Sequence, residues 1–298
     1  MDDRIEVLPE TVSALVAEQF PQWAHLRVKP VEHSGWNNRS FRLGDTMIVR
    51  LPSAVRYVAQ VEKEQQWLPY LAARLPLPVP EPLALGQPGQ GFPWCWSIYR
   101  WIEGTPLALA LAQTDLNSVA RDVAGFLTAL QAMDASSGPA AGTHNFHRGG
   151  SLSVYSDETE AAIIAVSDEI DVDMAREIWS RALANKWQAA PVWVHGDITE
   201  GNLLVQNGRL SAVIDFGSCA VGDPSSDLVL AWNLLDRDSR HLFRQFLPFT
   251  PETWERARGW ALWKALITLA AQCPDGTPLA EWSRRTLREL FSDHRECS

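Results

Sequence analysis

Apolar and polar positions follow two different periods along this chain, and the period changes after roughly the first hundred residues. From Arg27 to Pro52, "RVKPVEHSGWNNRSFRLGDTMIVRLP" runs in short alternating stretches broken by "HSGWNN" and "GD". It ends in the β-favouring "TMIVRL", and the whole predicts hairpins of an antiparallel sheet. From Tyr57 to Arg74, Val58, Val61, Trp67, Leu68 and Leu71 recur at near-helical spacing and predict one helix, kinked or ended by Pro69. "LPLPVPEP" then forces an extended connector, and "FPWCWSIYRWI" reads as a buried strand leading into "EGTPL". Beyond it, helical spacing predominates: 115–133, 156–166, 174–186, 228–246, 251–272 and 278–291.

One stretch of that helical half breaks the rule. In "VHGDITEGNLLVQNGRLSAVIDFG", the runs "NLLV" and "SAVID" flank Asn207-Gly208, the turn pair that a tight hairpin favours. Such a hairpin sets Asn202 at the start of one strand and Asp215 at the end of its neighbour, so both project from one end, with Asp197 on the loop leading in. Three hard oxygen donors at this density suit Mg²⁺ better than zinc, and magnesium points to phosphate chemistry.

Composition narrows the setting. A net charge of -10 and a pI near 5.2 argue against a nucleic-acid partner, whose phosphates demand a basic face. The N-terminal "MDDRIEVLPE" lacks the features of a secretory signal, and no apolar run approaches the roughly 20 residues of a membrane helix, so a cytoplasmic chain with no membrane partner is expected. Four scattered cysteines without a C-x-x-C pair read as reduced thiols.

"HGDITEGN" followed by "IDFG" resembles the catalytic and metal loops of the aminoglycoside phosphotransferases, the antibiotic kinases of the protein-kinase-like fold. The resemblance runs from about Ser34 to Leu228. It implies an α+β fold in two lobes: an antiparallel-sheet N-lobe over residues 1–99 and a mainly helical C-lobe over 100–298. It implies Asp197 as catalytic base, Asn202 and Asp215 as Mg²⁺ ligands, and Asp227 as support for the catalytic loop. Arg50 falls where the family has its phosphate-contacting lysine, and Glu64 where it has that lysine's partner. Ser34 and Asn38 fall in the loop over the phosphates, which is poor in glycine here. The backbone of Arg100 to Ile102 would bond the adenine edge, with Leu204 and Ile214 closing the pocket. No Walker A pattern offers another phosphate site.

The implied reaction is transfer of the γ-phosphoryl group of ATP or GTP to a hydroxyl of a small molecule, foremost an antibiotic such as an aminoglycoside. A macrolide kinase or a housekeeping metabolite kinase is the alternative, and a nucleotide-binding pseudokinase scaffold is the reading from another class. Between Ser151 and Glu177 eight acids stand against one Arg, either a solvated helix face or a lining for a cationic acceptor. His144 and His147 are weighed as a metal pair and set aside for want of a further ligand. The many Trp residues read mostly as core, with Trp263 or Trp282 able to line an apolar substrate wall.

Overall fold

Proline at the first helical position, with Val12, Leu15 and Val16 on one face, makes Pro9–Gln19 a helix, α1, where strands alone were expected besides the 57–74 helix. The computed structural model describes residues 3–32, 35–271 and 277–297. Contacts divide the chain into two units: Met1–Thr105 with Ser211–Ser218, and Pro106–Leu210 with Cys219–Ser298. The return of 211–218 to the first unit has no counterpart in a division of the chain at 99/100.

In the first unit, β1 (Val28–Pro30), β2 (Asn38–Leu43), β3 (Met47–Pro52), β4 (Pro82–Gly86) and β5 (Trp96–Arg100) form an antiparallel sheet in the order β1-β2-β3-β5-β4. The "GD" turn between β2 and β3 uses Gly44 at a φ of 57°. Val12, Leu15 and Val16 of α1 pack into one core with Phe41, Leu43, Val49, Leu51, Trp96 and Ile98. Trp96 lies so close across the sheet that a Cβ on Gly86 would sit 2.1 Å from its ring. Helix α2 (Val58–Ala72) carries Pro69 without breaking, because the proline stands in its last turn and removes a single backbone bond.

The second unit is mainly helical. A two-residue strand, β6 (Thr105–Pro106), stands at the boundary and is followed by α3 (Leu107–Ala110) and α4 (Leu116–Gln131), which Asp115 caps at Asn117 N and Ser118 N. Next come α5 (Ser156–Ala165) and α6 (Val172–Ala184), the latter capped by Asp171 at Met174 N. Strand β7 (Val192–Val194) pairs antiparallel with β10 (Ala220–Gly222). Between them in sequence lie β8 (Leu203–Gln206) and β9 (Arg209–Val213), joined by Asn207 and Gly208 at φ 51° and 73°, the backbone the sequence predicted for that turn.

The expected helix over 228–246 is two: α7 (Leu230–Asn233) and α8 (Arg237–Phe246). Asp236 separates them by capping Ser239 N, which ends one helix register and starts another. Helix α9 (Pro251–Ala270) is buried almost all round, with α6 and α10 (Pro278–Cys297) packed on it. Its buried Arg256 and Arg258 are paired with Asp223 at 2.6 Å and Asp293 at 2.9 Å. No helix among the described residues is long and apolar enough to cross a membrane.

Candidate active site

In the second unit, β7 delivers His195, Gly196 and Asp197 onto a loop held from behind by Asp227. The Asp227 carboxylate is fully buried and accepts the backbone N–H groups of His195 at 2.7 Å and Gly196 at 2.6 Å. Burial pushes its pKa up to about 7, although these two donors and Arg148 pull the other way. Gly196 has a φ of 82°, a backbone that favours glycine where protein kinases carry arginine. His195 is wholly buried and its Nδ1 accepts the Asp197 N–H at 3.2 Å, which makes it a support for the loop. Asn202, just before β8, donates its amide to the backbone O of Asp197 at 2.9 Å and to its Oδ2 at 3.1 Å. Acid and amide are thus locked together, and Asn202 Oδ1 takes no hydrogen bond among the described residues.

In the first unit, Arg50 sits on β3 opposite Ser40 and Ser97. Its guanidinium reaches Glu64 Oε1 at 3.4 Å and Asp215 Oδ1 at 2.6 Å. Burial opposes its charge, yet Asp215, Glu64 and Tyr99 outweigh that and raise its pKa. Glu64, on α2, also accepts the Tyr99 hydroxyl. Its pKa is raised by burial first, with Arg50 pulling it down and Asp215 pushing it up. Asp215 follows β9 at a φ of 65°, and its Oδ2 takes no hydrogen bond among the described residues. Each unit therefore offers one unengaged hard oxygen, Asn202 Oδ1 in the second and Asp215 Oδ2 in the first, a donor chemistry that fits Mg²⁺.

The other expected site residues fall variously. Asn38 opens β2, half-buried, while Ser34 lies outside the described residues. Arg100 ends β5 with its N–H already donated to Glu81 O at 3.0 Å, and Trp101 N–H goes to Thr46 O at 2.8 Å. Of the backbone expected to bond the adenine edge, Arg100 to Ile102, that leaves the Ile102 N–H without a partner among the described residues. Ile214 is half-buried in the first unit, and Leu204 is buried in the second. His144 is bonded to Ala140 O and His147 lies edge-on to Tyr155, so the two are separately engaged.

Most of the acidic run is paired. Glu160 bonds Arg176, Glu177 bonds Arg181 at 2.6 Å, Glu169 bonds Arg284 at 2.8 Å, and Asp171 caps α6 with Arg295 3.8 Å away. Glu158 accepts the Trp263 indole N–H at 2.7 Å. Asp157, Asp168 and Asp173 remain exposed.

The family model described as "Phosphotransferase enzyme family" matches residues 27–260, most of the chain and all of the loops just described. The chain belongs to this family. Among curated proteins, the aminoglycoside 3'-phosphotransferase of Escherichia coli is 33% identical over 86 residues, covering 26% of this chain and 30% of that relative. The chain thus matches under a third of that relative's length. Among solved structures, the GDP complex of aminoglycoside 2'-phosphotransferase-IIIa aligns with a TM-score of 0.70 at 17% identity, covering 98% of this chain and 100% of that one. The macrolide 2'-phosphotransferase MphH of Brachybacterium faecium aligns with a TM-score of 0.60 at 20% identity, covering 95% and 97%. These likenesses establish the phosphotransferase fold, with the antiparallel sheet and mainly helical part that the sequence predicted.

Sequence reasoning missed Arg148 and Lys264, whose charges interact with that of Asp197 in the second unit, and Tyr155, which stacks on Trp263 there. Only the "HRGG" after His144 marked the spot, and nothing in it signals a stacked arginine.

Proposed function

We propose that the protein, which resembles aminoglycoside and macrolide phosphotransferases, is a small-molecule kinase that moves the γ-phosphoryl group of ATP, or of GTP, onto a hydroxyl of its acceptor. The observation that carries the reading is the Asp197–Asn202 pair, at family spacing, on a loop that the buried Asp227 holds through two backbone bonds. Asp197 orients the hydroxyl and takes its proton as the new O–P bond forms and the bond to the leaving nucleoside diphosphate breaks. Asn202 and Asp215 are the residues that would hold Mg²⁺, which neutralises charge across the phosphates when bound.

Arg50 is already charged and held by Glu64, so it needs only to exchange Asp215 for phosphate oxygens when the nucleotide enters. That exchange also releases Asp215 Oδ1, so one arginine movement prepares both the phosphate grip and the metal carboxylate. Ile102 N–H is the free donor for the base, with Arg100 shaping the approach and Leu204 and Ile214 supplying apolar contact. Ser34 and Asn38 belong to the segment over the phosphates.

The reading is tested by ADP or GDP release coupled to a spectrophotometric assay, over aminoglycosides, macrolides and small hydroxylated metabolites. Acceptor-dependent release with any of them supports a kinase. Tight nucleotide binding with no phosphorylated product from the whole panel would make the protein a scaffold instead.

A further inference from the structure

If the protein is a small-molecule kinase, its helical unit narrows the acceptor. Segment 138–150 is fastened to β10: Val221 N–H donates to Pro139 O at 2.7 Å, Ala141 N–H to Val221 O at 3.1 Å, and Asp223 N–H to Gly149 O at 2.7 Å. Strand β10 pairs with β7, which leads into Asp197. The two backbones touch, since a Cβ on Gly222 would lie 2.1 Å from Gly149 O. Arg148 is therefore set beside the Asp197 loop by main-chain contacts.

The Arg148 guanidinium lies 4.6 Å from the ring centroid of Trp263 and 5.1 Å from that of Trp260. Tyr155 stacks on Trp263 at 4.0 Å, and the Trp263 indole is fixed by Glu158. Arg148 is half-buried, yet its guanidinium makes neither an ion pair nor a hydrogen bond among the described residues. By contrast, Arg50, Arg240, Arg244, Arg256 and Arg258 are each paired with a carboxylate, and the half-buried Arg285 donates to Asn233 O. Lys264, next in sequence to Trp263, is exposed and has no ion pair either.

Burial lowers the Arg148 pKa, against the pull of Asp197. Desolvation and then the like charge of Arg148 lower that of Lys264, again with Asp197 opposing. A cation kept away from water without a counter-ion is costly, and an incoming anion relieves that cost.

We infer that Arg148, assisted by Lys264, is the anion seat of the acceptor site, and that the acceptor is a hydroxylated small molecule bearing a carboxylate or phosphate group rather than a polycation. Of the eight acids that could have lined a polycation's site, Glu160, Glu177, Glu169 and Asp171 already face Arg176, Arg181, Arg284 and Arg295. The same oxyanion chemistry is presented by the γ-phosphoryl group of the nucleotide, so the test separates the two sources.

The protein is saturated with the β,γ-imido analogue of ATP or GTP, whichever binds, and inorganic phosphate is titrated in by calorimetry. Binding to the saturated protein is expected. It should weaken by about tenfold or more in Arg148→Ala, the scale of a charge-assisted hydrogen bond, recover in part in Arg148→Lys, and weaken less in Lys264→Met. Analogue affinity should stay constant across the three variants, and kanamycin should bind Arg148→Ala more tightly than wild type.

The inference is overturned if phosphate binds only when the triphosphate site is empty, which assigns Arg148 to the nucleotide. It is equally overturned if Arg148→Ala binds phosphate as wild type does, or if wild type binds kanamycin measurably and Arg148→Ala binds it no more tightly. Should neither analogue bind at all, the kinase reading fails by itself, and phosphate titrated into the free protein still reports on the seat through its dependence on Arg148.

Discussion

Arg50 in the first unit and Arg148 in the second are both drawn away from water, and they differ in company. Arg50 is gripped by two carboxylates, Glu64 and Asp215, while Arg148 rests on tryptophan faces with no anion against it. The first arrangement satisfies the charge at the expense of readiness, because a ligand must displace Asp215 before the guanidinium can serve it. The second leaves the charge uncompensated and open. On the roles proposed for them, these are two ways of storing a positive charge for an anionic ligand: by exchange of partners, or by vacancy on an aromatic support.

The largest expected effect lies on the second side. Asp197→Ala should lower kcat by about a thousandfold, within the range of a lost general base, while nucleotide affinity, which rests on the Arg50 side, stays as it is. Kinetics with an accepted substrate alongside calorimetric nucleotide titration check this, and a near wild-type kcat would remove Asp197 from the chemistry.

The next test acts on the arginines themselves. Arg50→Ala strands Glu64, only 4% exposed, without its ion-pair partner, so the protein should lose about 3–5 kcal/mol in urea unfolding. Arg148→Ala breaks no ion pair and removes an uncompensated charge, so it should cost less than the about 1 kcal/mol that its stacking is worth. Equal losses would erase the distinction between the two sites.

Asp227 gives the second side a pH signature. Its folded pKa of about 7 lies above the ordinary 3.8, so between those values the folded state holds the extra proton more firmly than the unfolded chain does. Stability contributed by this group is therefore full below 3.8 and lost as pH rises towards about 7. The total is at most about 4 kcal/mol, each pKa unit being worth 1.36 kcal/mol. Unfolding curves measured across that range should slope downward for wild type, and the slope should be shallower in Asp227→Asn.

The smallest effect is expected from turning Asp168, Glu169, Asp171 and Asp173 into their amides. Asparagine caps α6 as well as aspartate does, and only the exposed Glu169–Arg284 and Asp171–Arg295 pairs are lost, so stability should change by less than about 1 kcal/mol. Acceptor affinity should not change either. A selective loss of aminoglycoside binding would show instead that the acidic run recognises a polycation, and would weaken the contrast drawn for Arg148.

What could be foreseen from the sequence was what is local. The hairpin at Asn207-Gly208 and the Asp197–Asn202 pair are set by neighbours a few residues apart, and turn chemistry and motif spacing report them directly. Helix α1 escaped notice because its apolar face is only Val12, Leu15 and Val16 long. The break at Asp236 was hidden because apolar spacing continues on both sides of a cap that a periodic reading does not see. Arg50 and Asp215 are 165 residues apart, and the tryptophan support under Arg148 comes from α9, more than a hundred residues further on. Both depend on tertiary packing. The acidic run misled for a related reason: four of its members find arginines, three of them at some distance along the chain.

The return of Ser211–Ser218 to the first unit bears on the order in which the molecule can be assembled. Phe216 is wholly buried, Val213 N–H donates to Pro78 O at 3.1 Å, and Gly217 lies so close to Gln60 that a Cβ there would meet its amide oxygen at 2.5 Å. The first unit is thus missing its last piece until Ser218 has been synthesised, and Arg50 waits until Asp215 for its second carboxylate. Nascent chains arrested before Ser211 should leave that unit protease-sensitive, and protection should appear once synthesis has carried Ser218 clear of the exit tunnel.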